Sequence, residues 1–287
     1  MKKPAKIFSG TKSEETQIEP EDPSALASYF VDVSTKEETS PIGFPRASNL
    51  YDCCIRQLVI GTKTRVRTKN VLGLTQKIIF GYGNAVHFWL QNSDLLFKER
   101  RGLWRCSSCG WISPFGPQWK DKCKKCGARK TAFVYHEFPL KVNTNKYKMT
   151  GHPDMFIEVN GRLRVVEIKS INGDDFSKLI IPAIDYTWQI NSYIWAARRD
   201  RRLKNVSKKG YVVYITKQVV PGSFPVKYFP ITTSDEILRR IKNKLQAYTI
   251  GLRDYPGNLP IKHTQCSRNA RCYRARSCPV QIECFKI

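Results

Sequence analysis

The chain has 287 residues, 49 of them Lys or Arg against 24 Asp or Glu, for a net charge of +25. Apolar residues make up 41%, enough for a real core. No run of about 18 apolar residues exists, so no membrane span is predicted, and the opening Met-Lys-Lys-Pro-Ala-Lys-Ile-Phe-Ser-Gly lacks the apolar stretch of a secretory signal.

Residues 1–40 hold five Lys and eight acidic residues, net −3, which leaves +28 on the remainder. A folded body that basic favours a polyanionic partner. An anionic membrane is disfavoured, because no basic amphipathic helix stands out. Ten cysteines without a secretion signal point to a reducing compartment and to metal ligation rather than disulfides.

In chain order, residues 1–43 read as a flexible acidic tail with one short helix near 23–31. Order is expected from Phe44-Pro45-Arg46-Ala47-Ser48, so that 44–287 forms the main domain. A helix is predicted over 48–60, capped by Ser48, with Cys53 and Cys54 in its first turns. Another is predicted over 72–98, broken near Gly81 and Gly83. A cysteine-rich insert follows at 104–130, then strands at about 132–142, 148–159 and 162–170. A helix over about 183–201 is carried by Trp188, Ile190, Tyr193, Ile194 and Ala197 at helical spacing. Gly210 to Lys217 alternates as a strand. A last helix over 234–250 is announced by a capping box at Thr233 and Glu236.

The insert contains Cys106-x2-Cys109-x13-Cys123-x2-Cys126. Each Cys-x2-Cys turn lets two thiolates reach one ion, and two such turns complete a tetrahedron around structural Zn²⁺. Gly110 and Gly127 follow where a tight turn wants glycine. Lys120, Lys122, Lys124, Lys125, Arg129 and Lys130 lie among Trp104, Trp111 and Trp119, a mixture suited to backbone contact and base stacking.

Residues 151–169 hold the sharpest chemical signal. An Asn160-Gly161 loop between apolar strands predicts a two-residue hairpin. Its register pairs Val159 with Arg162, and counting back sets Asp154 opposite Glu167. Opposed residues hold their Cβ atoms about 4.5–5.5 Å apart. Two carboxylates that close repel unless a cation lies between them. Lys169 shares the face of Glu167. Val165, Val166 and Ile168 suggest a strand buried on both faces, where Glu and Lys are rare unless paired or bound to metal. Asp, Glu and Lys together suit metal-assisted phosphodiester hydrolysis.

The last 22 residues hold Cys266, Cys272, Cys278 and Cys284, each separated by five residues, with Arg268, Arg271, Arg274 and Arg276 between them. That pitch puts the sulfurs on one face of neither helix nor strand. A terminal zinc knot is one reading; a cluster completed by a distant cysteine is the other.

Taken together these pieces resemble the RecB-type branch of the PD-(D/E)xK nucleases, which includes iron–sulfur CRISPR-adaptation nucleases and many phage exonucleases. The resemblance runs over about 46–287. It is carried in order by Ser48-Asn-Leu-Tyr-Asp-Cys-Cys-Ile-Arg-Gln57, Gly83-x3-His87, His136-Glu-Phe-Pro-Leu140, Gly151-His-Pro-Asp154, Glu167-Ile-Lys169, Gln189-x3-Tyr193, Tyr214-Ile-Thr-Lys217, and Asn269-Ala-Arg-Cys272 with Cys278 and Cys284. It implies an α/β fold, a restriction-endonuclease-like mixed β-sheet flanked by helices, here with an inserted zinc ribbon and a C-terminal cluster segment at 266–287.

The resemblance also implies roles. His87, Asp154, Glu167 and the carbonyl of Ile168 would hold Mg²⁺ or Mn²⁺. Lys169 would orient the attacking water or stabilise phosphate charge. Gln189 and Tyr193 would position the strand or Lys169. Cys54, Cys272, Cys278 and Cys284 would hold a 4Fe–4S cluster, Cys54 being favoured over Cys53. The chain departs from the family in lacking a downstream Cys-x2-Cys pair, and Cys53 and Cys266 are surplus to a four-cysteine site. The ribbon is not part of the common core.

The expectation is a metal-dependent DNA nuclease, an exonuclease on single strands or ends, working in replication, recombination or repair. Its expected setting is the cytoplasm of a bacterial or phage-infected cell, with a replication or recombination protein as the candidate protein partner. The competing readings are a non-catalytic nucleic-acid-binding module and a processing subunit that depends on a partner.

Overall fold

A computed structural model describes residues 38–70, 73–93, 99–218, 222, 224–266 and 271–286. The predicted helix at 23–31, the predicted helical residues 94–98, and Arg268, Asn269 and Ala270 lie outside the described residues. The elements are β1 (Glu38–Pro41), α1 (Ile55–Thr64), β2 (Arg67–Asn70), α2 (Leu74–Asn92), β3 (Arg100–Arg101), β4 (Leu103–Cys106), β5 (Phe133–His136), β6 (Leu140–Asn143), β7 (Lys148–Gly151), β8 (Met155–Val159), β9 (Arg162–Ile171), α3 (Gly173–Lys178), α4 (Ile184–Ala197), β10 (Lys209–Thr216), β11 (Val226–Thr232), α5 (Asp235–Arg253), α6 (Tyr273–Arg276) and α7 (Gln281–Lys286).

The central sheet has the order β11-β10-β9-β8-β3. Only β9 and β10 run parallel; the other neighbours are antiparallel, so the sheet is mixed. The β8–β9 hairpin has the predicted register, from Val159↔Arg162 to Met155↔Val166. Asn160 and Gly161 both take positive φ, 52° and 68°, as a turn that matches the strand twist requires.

Strand β9 is buried on both sides. Val165 joins the core made with α4, through Trp188, Ile190 and Ile194. Val166 and Ile168 join a second core that includes Trp104, Phe133, Tyr135 and the ribbon residues Cys106 and Cys123. The ribbon's base is therefore the layer that covers the second face of the sheet. Its tryptophans turn inward: Trp104 is fully buried against Tyr135, and Trp111 packs edge-on to Trp119 at 5.3 Å. Its lysines at 120, 122, 124 and 125 face solvent.

A third core joins the two ends of the domain. Ile55, Leu58, Val59 and Ile60 of α1 pack with Tyr248 of α5 and with Val280 and Cys284 near the C-terminus. The buried Arg56 fastens this join. It donates to Cys284 Sγ at 3.3 Å, to the Cys284 carbonyl at 3.2 Å and to the Pro260 carbonyl at 3.3 Å.

Several predicted boundaries move. Ser48 is not a helix cap: it sits in a short 3₁₀ turn at Ala47–Asn49, and the helix begins at Ile55 with Cys54 as its N-cap. Helix α2 runs unbroken through Gly81 and Gly83. The predicted strands 132–142 and 148–159 each divide in two, at Pro139 and Pro153, because proline cannot donate to a ladder. The cap of α5 is Ser234, whose hydroxyl accepts the Ile237 amide at 3.3 Å, rather than Thr233. Among the described residues no helix is long and apolar enough to cross a membrane.

Candidate active site

The β8–β9 ladder stops at Met155↔Val166, one rung short of Asp154 and Glu167. The reason lies in the next residue. Pro153 would face Ile168 and has no N–H to give. The Ile168 amide instead donates to Asp154 Oδ2 at 2.6 Å. In an antiparallel ladder a residue's N–H and C=O point to the same neighbour. The Ile168 carbonyl is thereby aimed at the Asp154 side, opposite a residue that cannot bond to it.

Helix α2 delivers two side chains to this spot. His87 Nδ1 lies 3.3 Å from Asp154 Oδ1. One turn on, Gln91 is buried and donates to the Asp154 carbonyl at 2.8 Å and to Glu137 Oε1 at 3.3 Å. The i, i+4 spacing from His87 was a signal that could have found Gln91.

Glu167 is almost fully buried, at 3% exposure. Its Oε1 accepts from Lys169 Nζ at 2.7 Å and from Gln189 Nε2 at 2.8 Å. Gln189 also reaches the Tyr193 hydroxyl at 3.0 Å, and that hydroxyl donates to the His152 carbonyl at 3.0 Å. Tyr193 fits because residue 151 is glycine; a Cβ there would come within 2.5 Å of its ring. The Lys169 ammonium rests over the Tyr186 ring at 4.5 Å. The Tyr214 hydroxyl accepts the Ala183 amide at 3.1 Å and so fixes where α4 starts.

The electrostatics leave negative charge in excess. Burial and the nearby Asp154 charge push Glu167 up to about 8, against the opposing pull of Lys169. Burial and Asp154 also raise Glu137 above the usual carboxylate range. Burial works against the Lys169 ammonium, yet the Glu167 charge and hydrogen bond outweigh it and raise its pKa. Glu167 Oε2 is buried with no hydrogen-bond partner among the described residues. An orphaned buried carboxylate oxygen beside a second carboxylate fits a divalent cation. Glu137, Gln91 and Tyr186 are site residues that sequence reasoning missed. The first lay inside a motif read only as a strand.

Two cysteine groups lie away from this centre. The four ribbon sulfurs, from Cys106, Cys109, Cys123 and Cys126, all fall within 4.8 Å of one another, a set that could bind one metal ion. Both knuckles close alike: the Gly110 and Gly127 amides each donate to the first cysteine's carbonyl at 2.9 Å. Both glycines take positive φ, 74° and 72°.

The second group is arranged differently. Cys54, Cys266 and Cys278 line one cavity of about 320 Å³. Cys272 Sγ lies 3.8 Å from Cys266 Sγ, and Cys284 is held by Arg56. Cys266, set aside in the sequence as surplus, belongs to this gathering. Cys53 does not: its thiol is packed beneath α1 and donates to the Leu50 carbonyl at 3.7 Å. Burial pushes it up to about 11.

A mixed sheet carrying Asp, Glu-x-Lys and a helical Gln at one end defines a nuclease centre. The family model described as PD-(D/E)XK nuclease superfamily matches residues 81–284. The chain belongs to that superfamily, whose members are nucleases that use divalent metals. Similar solved structures include SSO0001, with 16% identity, 80% of this chain and 88% of that one covered, and a TM-score of 0.40. An alkaline exonuclease, LHK-Exo, from Laribacter hongkongensis has 12% identity, 79% and 92% coverage and a TM-score of 0.42. LHK-Exo in complex with dAMP has 11% identity, 74% and 89% coverage and a TM-score of 0.38. No curated protein matches the chain.

Proposed function

We propose that this nuclease hydrolyses DNA with Mg²⁺ or Mn²⁺, acting on single strands or ends, and that His87, Asp154, Glu167 and the Ile168 carbonyl hold the ion. The observation that carries this reading is the unpartnered Glu167 Oε2 beside Asp154. The ion would activate water and neutralise the scissile phosphate.

The chain's own residues do the rest. Gln189 and Lys169 hold Glu167 Oε1, so only Oε2 is left to ligate. Lys169, raised in pKa and so kept charged, is placed to stabilise charge on the phosphate or to orient the attacking water. Tyr193 ties the Gln189 amide to the backbone before Asp154, so the two catalytic strands move as one.

Single strands are favoured by α2. Phe80 lies seven residues before His87, on the same side of the helix and about 10 Å away. It is 55% exposed, and an exposed aromatic ring beside the site suits base stacking. The basic body supplies backbone attraction. A role in replication, recombination or repair follows from such a substrate.

The ribbon cysteines fit Zn²⁺. Three of the sulfurs, from Cys54, Cys266 and Cys278, border a cavity, with Cys272 Sγ 3.8 Å from Cys266 Sγ, which supports a cluster over a single zinc ion and leaves Cys54, Cys266, Cys272, Cys278 and Cys284 as its candidate ligands. A brown protein that loses its colour and its fold in Cys54→Ser is the expected result; a colourless, folded protein purified without oxygen contradicts the cluster. The nuclease reading is tested with end-labelled single- and double-stranded DNA and Mg²⁺ or Mn²⁺. Metal-dependent shortening of single strands supports it, and an absence of cleavage with both ions overturns it.

A further inference from the structure

The hairpin turn lies at the opposite end of β9 from the catalytic residues. A cavity of about 800 Å³ opens there, and Arg162, Arg164, Arg198, Lys208 and Lys209 account for five of the eleven residues that line it. Among the described residues, no acidic one lines it. A second cavity of about 540 Å³ adjoins it, sharing Arg198 and Lys208 and adding Arg199 and Lys242, with Asp235 as its acid.

Among the described residues, the charged groups of Arg162, Arg198, Lys208, Lys209 and Lys242 make no ion pair or hydrogen bond; the Lys209 backbone amide donates to the Ser207 hydroxyl at 3.0 Å. Arg164 lays its guanidinium over the Tyr211 ring at 5.5 Å and donates to that hydroxyl, not to a carboxylate. Asn160, Asn205, Ser207 and Thr232 complete the first cavity. Amide and hydroxyl groups among cations are the usual partners of phosphate and sugar, whereas base readout needs grooves and flat surfaces.

Two routes give the spacing from the catalytic site. Arg162 lies five strand residues from Glu167, about 17 Å along β9. Arg198 lies twelve helical positions from Tyr186, about 18 Å along α4. The agreement sets the cavity about 17–18 Å from the catalytic end, a span of a few nucleotides for an extended single strand, whose phosphates lie farther apart than the 3.4 Å rise of a duplex strand.

We propose that these joined basic cavities form a second nucleic-acid site, which grips the phosphate backbone of a bound strand a few nucleotides from the point of cleavage. It rests on the nuclease reading for its substrate. A strand too short to reach it is held by the catalytic end alone, so the site favours long substrates without reading sequence.

The test uses the full chain and fluorescence anisotropy of labelled single strands of two and twenty nucleotides, in EDTA so that nothing is cut. Arg198→Gln with Lys208→Gln removes two exposed cations. A charge-matched control removes the exposed Lys63 and Lys141 by Lys63→Gln with Lys141→Gln. The expected result is at least a tenfold loss of affinity for the twenty-mer in the first variant. Its salt slope should fall by about 1.4, at roughly 0.7 for each phosphate contact on a single strand. Dinucleotide binding and the control should match the wild type. Three outcomes overturn the proposal: no loss, an equal loss in the control, or an equal loss on the dinucleotide. Because binding is read without cleavage, a chain that never cuts DNA refutes the nuclease reading and still leaves the second site to be scored.

Discussion

Asp154 Oδ2 takes the Ile168 amide at 2.6 Å, in the rung where Pro153 cannot serve as a partner. One carboxylate thus does two things: it ends the ladder, and its charge acts on the buried Glu167. The two roles separate by substitution. Asp154→Asn keeps an acceptor for the amide, whereas Asp154→Ala leaves a buried N–H without one. The alanine variant should be less stable than the asparagine variant by about 1–3 kcal/mol, measured by urea unfolding of the metal-free proteins. Equal stabilities would show that the amide finds another acceptor.

Glu167 gives a pH prediction whose sign is opposite to that of an ordinary carboxylate. Its pKa is raised to about 8 in the metal-free fold, against about 4.3 in an unfolded chain. Between those values the folded state binds the extra proton, so metal-free stability falls as pH rises from about 4.3 to 8. Glu167→Gln, isosteric and neutral, should flatten that fall. It should melt a few degrees above the wild type at pH 8 without metal, and Mn²⁺ should stabilise only the wild type.

Gln189 acts through Glu167 and is a positioning residue. In Gln189→Ala, Oε1 keeps Lys169 alone and the Tyr193 hydroxyl loses a partner. The expected cost is about tenfold in kcat with KM little changed, the pattern of an interaction that matters mainly in the transition state. Tyr193→Phe should overlap with it rather than add, because the two belong to one hydrogen-bonded chain. Fully additive losses in the double variant would argue against this linkage.

The ribbon should carry one zinc per chain, counted by metal analysis of the purified protein. Cys109→Ser should release it and shift the fluorescence of Trp111 and Trp119, which pack on each other beside the site. Because Cys106 and Cys123 belong to the core that covers Val166 and Ile168, metal loss should also lower the melting temperature of the whole body. A loss confined to the ribbon would show that the two fold independently.

Much of the site was legible in the sequence, since a two-residue Asn-Gly turn fixes register, and register alone placed Asp154 against Glu167. Helical spacing likewise placed Gln189 under Tyr193. Glu137 and Gln91 were not legible, because they reach the site from a loop and a helix whose approach depends on tertiary packing. The ribbon's structural role was hidden for the same reason: the Cys-x2-Cys spacing reports a metal site but not what its base covers. Cys266 was one cysteine more than a four-ligand site needs, and only its place beside Cys272 Sγ and in the cavity with Cys54 and Cys278 brings it in. Proline breaks at Pro139 and Pro153 were readable and were passed over in favour of long apolar runs.

The central claim is that Asp154 and Glu167 form a metal-dependent catalytic centre. Its most direct test is the cleavage rate of an end-labelled single strand in Mn²⁺, compared between the wild type and Asp154→Asn, with circular dichroism confirming the fold of both. Cleavage by the wild type and a loss of about 10²–10³ in the variant is the predicted result. Equal cleavage by the two proteins would contradict the account.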